Sequence, residues 1–288
     1  MSIITAIFQA IGQALTFIFP ISENGHSAIF HNFAARNSGD VSELTGLIHI
    51  GIALGLLIAF YKVFLRNFVE IVNSFKEMFS KDLKVRRAKN SRKFMYFTLI
   101  SFVPMLFYFV PIGKKGNLYH ILQMLSYDSN LLSEGIAFLI TATLLLFASF
   151  TMTKNKENRG NQLSVPIVII LAVLVFITLP IAGLSLSAVI ISVAVICNIN
   201  KNIAFRYFIS ISVPILIVKG IIEIVTCASR VSVVAGVIAV VVAAAAAYLF
   251  SKLFKVVVSN MYLKYFSYYD YAIGVIVLVT GIVQLFIK

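Results

Sequence analysis

Seven long apolar runs restrict how this chain can fold more than any other feature. They cover residues 44–61, 94–111, 131–151, 165–179, 207–225, 231–250 and 271–287. A bilayer core is about 30 Å thick, and a helix needs roughly 20 mostly apolar residues to cross it. Backbone groups in hydrocarbon must pair within the protein, so runs of this length predict helices. The runs lack the alternating pattern that a transmembrane barrel requires.

Composition supports the same conclusion, because 60% of the residues are hydrophobic and only 12% are charged. We therefore predict an all-α, polytopic integral membrane protein that forms a single transmembrane domain over residues 1–288. The first apolar segment is not flanked by a basic region or a small-residue cleavage site, so we expect it to stay in the mature protein. Cys197 and Cys227 have no CxxC spacing and no histidine cluster beside them, and no metal site is predicted.

Basic residues cluster between the apolar runs, and this explains the formal net charge of +13 without a nucleic-acid partner. Residues 62–93 hold ten basic and three acidic side chains. The positive-inside rule places this segment in the cytoplasm, as an interfacial helix on anionic lipid. Following the chain from there predicts that the stretches 22–43 and 180–187 both open to the outer face.

Two shorter apolar segments, 3–19 and 184–196, are interrupted by proline and polar residues. Interrupted segments at comparable places in two halves of a membrane protein point to a binding site between structural repeats. We therefore predict two inverted repeats, near residues 1–125 and 126–288, each with a broken or re-entrant helix. The direction of the chain after Ser187 stays open, because segment 184–196 can either span or re-enter.

The first interrupted segment ends in the run Gln-Ala-Leu-Thr-Phe-Ile-Phe-Pro-Ile-Ser-Glu-Asn-Gly-His at positions 13–26. Polar groups at membrane depth are costly, and they usually face a cavity or each other. Pro20 and Gly25 allow the helix to break, and the N–H groups at the start of the next helix can bind an anion. The alternative is an outer loop with a capping serine.

The second run reads Pro-Ile-Ala-Gly-Leu-Ser-Leu-Ser at positions 180–187. A glycine followed by two serines can form a second anion-binding helix start. The alternative is that Ser185 and Ser187 bond back to carbonyl groups one turn earlier, as serines in apolar helices commonly do.

Both runs resemble motifs of the undecaprenyl-diphosphate phosphatase (bacitracin-resistance protein) family. The family motifs are E-G-x-T-E-F-L-P-[VI]-S-S-[TS]-G-H and P-G-x-S-R-S-x-x-T, and positions 13–26 and 182–190 resemble them in order and spacing. The similarity extends to 49–51, to 201–214 and to the tyrosine-rich start of the last helix. It implies a multi-pass protein of the bacterial inner membrane that removes the terminal phosphate from a C55 polyprenyl diphosphate at the outer face. Such an enzyme recycles the lipid carrier of peptidoglycan synthesis.

The resemblance also implies a set of site residues. The catalytic candidates are His26, Ser22 and Glu23. The substrate-binding candidates are Gln13, Asn24, Gly25, Gly183, Ser185 and Ser187. A divalent cation such as Mg²⁺ or Ca²⁺ is the cofactor that the family implies, and the expected partner is a polyprenyl (di)phosphate in the membrane.

Four positions depart from the family pattern: Gln13 and Phe17 replace its two Glu residues, Glu23 replaces its second Ser, and Leu186 replaces its Arg. Diphosphate hydrolysis needs positive charge near the transferring phosphoryl group, and Leu186 supplies none. Gln13 and Phe17 offer no carboxylate pair to chelate a cation. We therefore expect a slow enzyme or none.

Other ionisable residues at membrane depth include His49, Lys219 and Glu223. Lys219 and Glu223 are four residues apart and are expected to pair with each other. For His49, a packed or hydrogen-bonded role is preferred to a catalytic one.

Three functions are compatible with the sequence. The first is the phosphatase. The second is non-catalytic binding or translocation of a polyprenyl phosphate or another anionic lipid, and the third is a small-solute transporter, which rests on the repeat-like architecture alone. The sequence leaves open which lipid is bound and whether the protein forms a homodimer. All three depend on the two interrupted segments meeting.

Overall fold

The computed structural model describes residues 3–33, 43–78, 90–110, 118, 130–154, 162–227 and 230–287. Helices dominate these ranges, and this confirms the all-α prediction. In chain order they are α1 (Ile3–Ile18), α2 (Glu23–Phe33), α3 (Glu43–Ala59), α4 (Tyr61–Met78), α5 (Asn90–Ile100), a 3₁₀ helix (Pro104–Phe109), α6 (Leu132–Lys154), α7 (Val165–Thr178), α8 (Leu186–Ile196), α9 (Lys201–Thr226), α10 (Val233–Ser259) and α11 (Leu263–Ile287).

Membrane-spanning length is found in α6, α9, α10 and α11 among the described helices, judged by length and composition. The pair α3 and α4 provides a fifth span if it is counted as one bent helix. Helices α1, α7 and α8 are apolar but shorter. The protein is therefore a multi-pass membrane protein.

Helix α4 turns away from α3 at an angle of 87°. It covers the first half of the basic segment 62–93, and Arg92 of α5 bonds back to it through Glu70 and Glu77. A helix that turns from a span at a right angle and carries charge beside exposed Phe68 and Phe75 suits the membrane surface. Residues 79–89 lie outside the described ranges.

The apolar run 94–111 was expected to form one continuous helix, and this expectation is wrong. Helix α5 ends at Ile100, and a short 3₁₀ helix begins at Pro104 after a turn. Proline has no N–H group to donate to the preceding turn, and its ring clashes with the carbonyl four residues earlier. The run therefore breaks just before Pro104.

Close contacts join helices that are far apart in the chain. Helix α11 packs along α6, and α3 packs against both α9 and α10. Small residues permit this approach: a Cβ atom placed on Gly46 of α3 would lie 2.7 Å from the carbonyl oxygen of Gly220 in α9. Small residues at helix contacts are the usual way in which membrane helices pack.

Two helical hairpins, α1–α2 and α7–α8, contain the interrupted segments. Each connecting turn includes a proline, Pro20 in the first and Pro180 in the second. Each also has one residue in the left-handed region, Ser22 with φ 60° and Gly183 with φ 96°. The predicted breaks are therefore confirmed, whereas the inverted relation of the two halves stays a prediction.

Candidate functional site

The hydroxyl group of Ser22 joins the two motif turns. It donates a hydrogen bond to the Leu184 carbonyl at 3.0 Å, and it accepts from the N–H groups of Gly183 and Gly25, each at 3.1 Å. Ser22 is almost fully buried. The interrupted segments of the two halves therefore meet, as the sequence predicts.

Gly25 and Gly183 bring the two turns into backbone contact. A Cβ atom on Gly25 would lie 2.8 Å from the Gly183 nitrogen and 2.5 Å from Cζ of Phe138. Gly183 has a positive φ angle that side-chain-bearing residues rarely adopt. These two glycines therefore allow the close approach at the junction, which we define as residues 22–26 and 183–187.

Thr141 of α6 forms hydrogen bonds with the second turn. Its hydroxyl donates to the Gly183 carbonyl at 3.0 Å and accepts from the Ser185 N–H at 3.3 Å. Ser185 caps α8 by accepting from the Ala188 N–H. Ser187 is buried and lies 3.2 Å from the Ser185 hydroxyl, oxygen to oxygen.

Two helix N-termini point into the junction, because α2 begins at Glu23 and α8 begins at Leu186. The start of a helix carries a partial positive charge and N–H groups without partners in the helix. Two such termini side by side favour an anion over a cation or a neutral ligand.

His26 is held by hydrogen bonds at both ring nitrogens. Its Nδ1 atom lies 2.8 Å from the Ser22 carbonyl, and its Nε2 atom lies 2.8 Å from the Tyr269 hydroxyl. A carbonyl only accepts, so Nδ1 carries a proton and, in the neutral ring, Nε2 accepts from the tyrosine. The ring also stacks on Tyr269 and meets Phe138 edge-on. Nε2 is therefore the atom with a lone pair for chemistry.

A buried ion cluster begins at Glu23, three residues before His26 in α2. His49 is fully buried, with Nε2 2.6 Å from Glu23 Oε1 and Nδ1 2.5 Å from Glu223 Oε2. Ionised carboxylates only accept hydrogen bonds, so an imidazolium ring with two protons satisfies both of them. The preference for a hydrogen-bonded His49 is consistent with this arrangement.

Lys219 completes the cluster. Its Nζ atom lies 3.5 Å from Glu23 Oε2 and 3.2 Å from Asn24 Oδ1. The Asn24 amide in turn donates to the Leu179 carbonyl of the second hairpin at 2.9 Å. We expected Lys219 to pair with Glu223, but the observed contact of Glu223 is with His49. Two carboxylates thus face one imidazolium and one ammonium group, which balance in charge.

Sequence reasoning names Glu23 and His49 separately and misses their pairing. The signal is that the chain has an acid at Glu23, where the family has a serine, and a base at membrane depth in His49. Thr141 and Tyr269 were also missed as individual residues. Nothing around Thr141 marks it in the sequence, and Tyr269 is one of several tyrosines at the start of the last helix.

The remaining predicted residues divide between the junction and the core. Gln13 has a buried Oε1 atom that finds no hydrogen-bond partner among the described residues. Leu186 is buried at the first position of α8, where the family has its arginine. Phe17 packs with its ring centre 6.4 Å from that of Phe208, in the apolar core.

The donor groups do not fit a resident divalent cation. Within the described residues, no three His, Cys, Asp or Glu side chains are arranged to hold a metal ion. The carboxylates of Glu23 and Glu223 are both bonded to His49.

Helices of spanning length and two proline-broken hairpins that meet around buried polar groups define a polytopic membrane protein with an internal polar site. The chain matches the family model "Bacitracin resistance protein BacA" over residues 6–276. It therefore belongs to this family.

Similar proteins named undecaprenyl-diphosphatase occur in several organisms. The one from Korarchaeum cryptofilum is 26% identical over 281 residues, covering 96% of this chain and 99% of that protein. The one from Methanobrevibacter smithii is 24% identical over 292 residues, covering 99% of this chain and all of that protein. The one from Buchnera aphidicola is 24% identical over 224 residues, covering 78% and 75%.

Proposed function

We propose that this protein is an undecaprenyl-diphosphate phosphatase of the bacterial inner membrane, which binds the diphosphate head group at the junction and releases its terminal phosphate. The bond between Ser22 and Gly183 carries the proposal, because it brings both family motifs to one point. The names of the similar proteins support the same activity. In the cell, the reaction would recycle the lipid carrier of peptidoglycan synthesis at the outer face.

His26 is the residue with the geometry for the chemical step. Its Nδ1–H is fixed by the Ser22 carbonyl, and its Nε2 lone pair is covered by the Tyr269 hydroxyl until a ligand displaces it. As a general base, Nε2 would take a proton from the water that attacks the terminal phosphorus. A hydrogen bond at one ring nitrogen commonly sets the orientation and tautomer of a catalytic imidazole.

The positions of Ser22 and Glu23 favour a structural role in the site over a role in the chemical step. The Ser22 hydroxyl makes three hydrogen bonds, and these leave little capacity to act as a nucleophile. The Glu23 carboxylate is bonded to His49 and faces Lys219. In this proposal Ser22 pins the two turns together, and Glu23 fixes the start of α2.

Charge stabilisation is the weak part of the site. The two helix N-termini attract the head group, but Leu186 brings no guanidinium to the transferring phosphoryl group. No step of the proposed reaction passes through a divalent cation, since the described donor groups do not fit one. A low turnover number follows from both features.

A second candidate is a lipid-phosphate binder without turnover. The closed ion cluster of Glu23, His49, Glu223 and Lys219 favours it, because its cations are already paired with carboxylates. Such a protein would hold or translocate the head group through the same junction.

Hydrolysis of undecaprenyl or farnesyl diphosphate by purified protein in detergent separates the two candidates. The phosphatase proposal predicts phosphate release by the wild type and at least about 100-fold less by His26→Ala. Saturable binding of the lipid diphosphate with no release would favour the binder. Absence of both binding and release would reject both candidates. Assays with and without Mg²⁺ or Ca²⁺ test the cofactor that the family implies.

A further inference from the structure

Asp270 of α11 is a fully buried carboxyl group whose two oxygen atoms find no hydrogen-bond partner among the described residues. Burying a polar group without a partner costs several kcal/mol, and an isolated charge costs far more. Ionisable groups that stay buried in a membrane segment at this cost are usually functional. The buried acids Glu23 and Glu223 are paired with His49, so Asp270 differs from them.

The contacts of its neighbours on α11 show where Asp270 lies. Successive residues of a helix are about 100° apart, so residue 270 is about 40° from 266 and from 274, and about 60° from 267. The Phe266 ring stacks on Phe19 of the first turn, with ring centres 5.3 Å apart. Ser267 donates to the Ala142 carbonyl of α6 at 2.8 Å. Asp270 therefore lies on the face of α11 between the first turn and α6.

The same side of α11 packs near the junction. A Cβ atom on Gly274, one turn beyond Asp270, would lie 3.1 Å from Cβ of Phe138. Phe138 itself contacts the His26 ring edge-on, with ring centres 5.5 Å apart, and it fills the space beside Gly25. Tyr269, the residue before Asp270, bonds to His26 Nε2. Asp270 is thus adjacent on α11 to Tyr269, which contacts His26, and one turn from Gly274, which contacts Phe138.

We propose that Asp270 is a further catalytic residue, a protonated carboxyl that donates a hydrogen bond and then its proton to the lipid head group. The proposal rests on the proposed phosphatase function. Carboxyl groups kept neutral in apolar sites serve as hydrogen-bond donors in other enzymes, and acid and base groups often occur as pairs in different surroundings. Here His26 is the base, and Asp270 is the acid.

The step balances with water as the co-reactant. The water oxygen forms a bond to the terminal phosphorus and gives one proton to His26 Nε2. The bond between that phosphorus and the bridging oxygen breaks, and the bridging oxygen takes the proton of Asp270. The products are inorganic phosphate and the lipid monophosphate, and the proton on His26 returns to Asp270 through solvent.

Rates and infrared difference spectra of Asp270→Asn, with Ser267→Ala as the matched control on the same helix face, test this role. We expect kcat of Asp270→Asn to fall about 100-fold or more, with Ser267→Ala close to wild type. The carboxylic-acid band of the protonated side chain should be present in the wild type and absent from Asp270→Asn. Farnesyl monophosphate should shift this band.

The outcomes keep the two proposals apart. If the wild type hydrolyses the diphosphate and Asp270→Asn keeps its kcat, the acid role is rejected and the phosphatase stands. If farnesyl monophosphate binds saturably and the band is missing or does not shift, the contact between Asp270 and the head group is also rejected. If the wild type neither binds nor hydrolyses, the phosphatase fails and the role of Asp270 fails with it.

Discussion

The N–H group of Gly183 donates a hydrogen bond to the hydroxyl of Ser22, 161 positions earlier in the chain. The same hydroxyl donates to the carbonyl of Leu184, so the two turns share both a donor and an acceptor. Each turn also begins a helix, and a helix N-terminus carries a partial positive charge. One serine therefore links the two hairpins on which the site depends.

Ser22→Ala should loosen this link. It would leave the N–H groups of Gly183 and Gly25 and the carbonyl of Leu184 without their buried partner. We expect the free energy of unfolding to fall by at least about 3 kcal/mol, since three buried groups lose their partner and each unsatisfied group costs about 1–3 kcal/mol. Thermal unfolding in detergent measures the change. Thr280→Ala, which removes an exposed bond to the Ile276 carbonyl, is the control and should stay near wild type. Equal unfolding temperatures for the two variants would contradict the role of Ser22.

Gly25→Ala should separate the two turns. The new methyl group would lie 2.8 Å from the Gly183 nitrogen and 2.5 Å from Phe138, so one of them must move. Overpacking of this kind costs about 1–3 kcal/mol. Gly12→Ala in α1 is the matched control, because its methyl group would meet nothing within 4 Å. We expect the control to match or exceed the wild type in thermal stability, given the better helix propensity of alanine.

His49→Leu should be strongly destabilising, because it leaves two buried carboxylates without the imidazolium between them. Breaking a buried ion pair from one side costs about 3–5 kcal/mol. Arg230→Ala, at a side chain that is 71% exposed, removes a surface ion pair with Glu43 and should cost less than about 1 kcal/mol. Adding Glu23→Gln and Glu223→Gln to His49→Leu should recover part of the loss in thermal stability. No recovery in the triple variant would show that packing, and not charge, accounts for the effect.

Leu186→Arg should raise the rate. It returns a cation to the first position of α8, beside the Ser22–Gly183 contact, where a phosphoryl group would develop charge. We expect kcat for phosphate release from farnesyl diphosphate to increase about tenfold or more. Leu186→Gln is the control for size and polarity. Identical kcat values for the Arg and Gln variants would remove the argument that missing positive charge limits this enzyme.

The features that could be predicted from the sequence are those that carry a local signal. Pro20 and Pro180 interrupt apolar runs, and the positive-inside count places both interruptions on the same side of the membrane. The meeting of Ser22 with Gly183 follows from these two facts. Pro104 carries a similar local signal inside the run 94–111, where the apolar composition alone predicts one helix.

Partner choice could not be predicted, because it depends on how helices pack. His49 reaches Glu223 because α3 and α9 approach closely where Gly46 meets Gly220, and neither helix shows this contact in its own sequence. Asp270 also could not be predicted as a site residue from its sequence position. It stands out because of the contacts of its neighbours on α11 and because its carboxyl oxygens have no hydrogen-bond partner among the described residues.

Binding of undecaprenyl monophosphate to detergent-solubilised Gly25→Ala, compared with Gly12→Ala and the wild type at a temperature where all three are folded, measures whether the head group binds at the junction. If the head group binds where the two turns meet, a methyl group that forces Gly25 and Gly183 apart should weaken binding at least about tenfold, or about 1.4 kcal/mol, while Gly12→Ala binds like the wild type. Equal dissociation constants for all three proteins would contradict the account, because the lipid phosphate would then bind elsewhere.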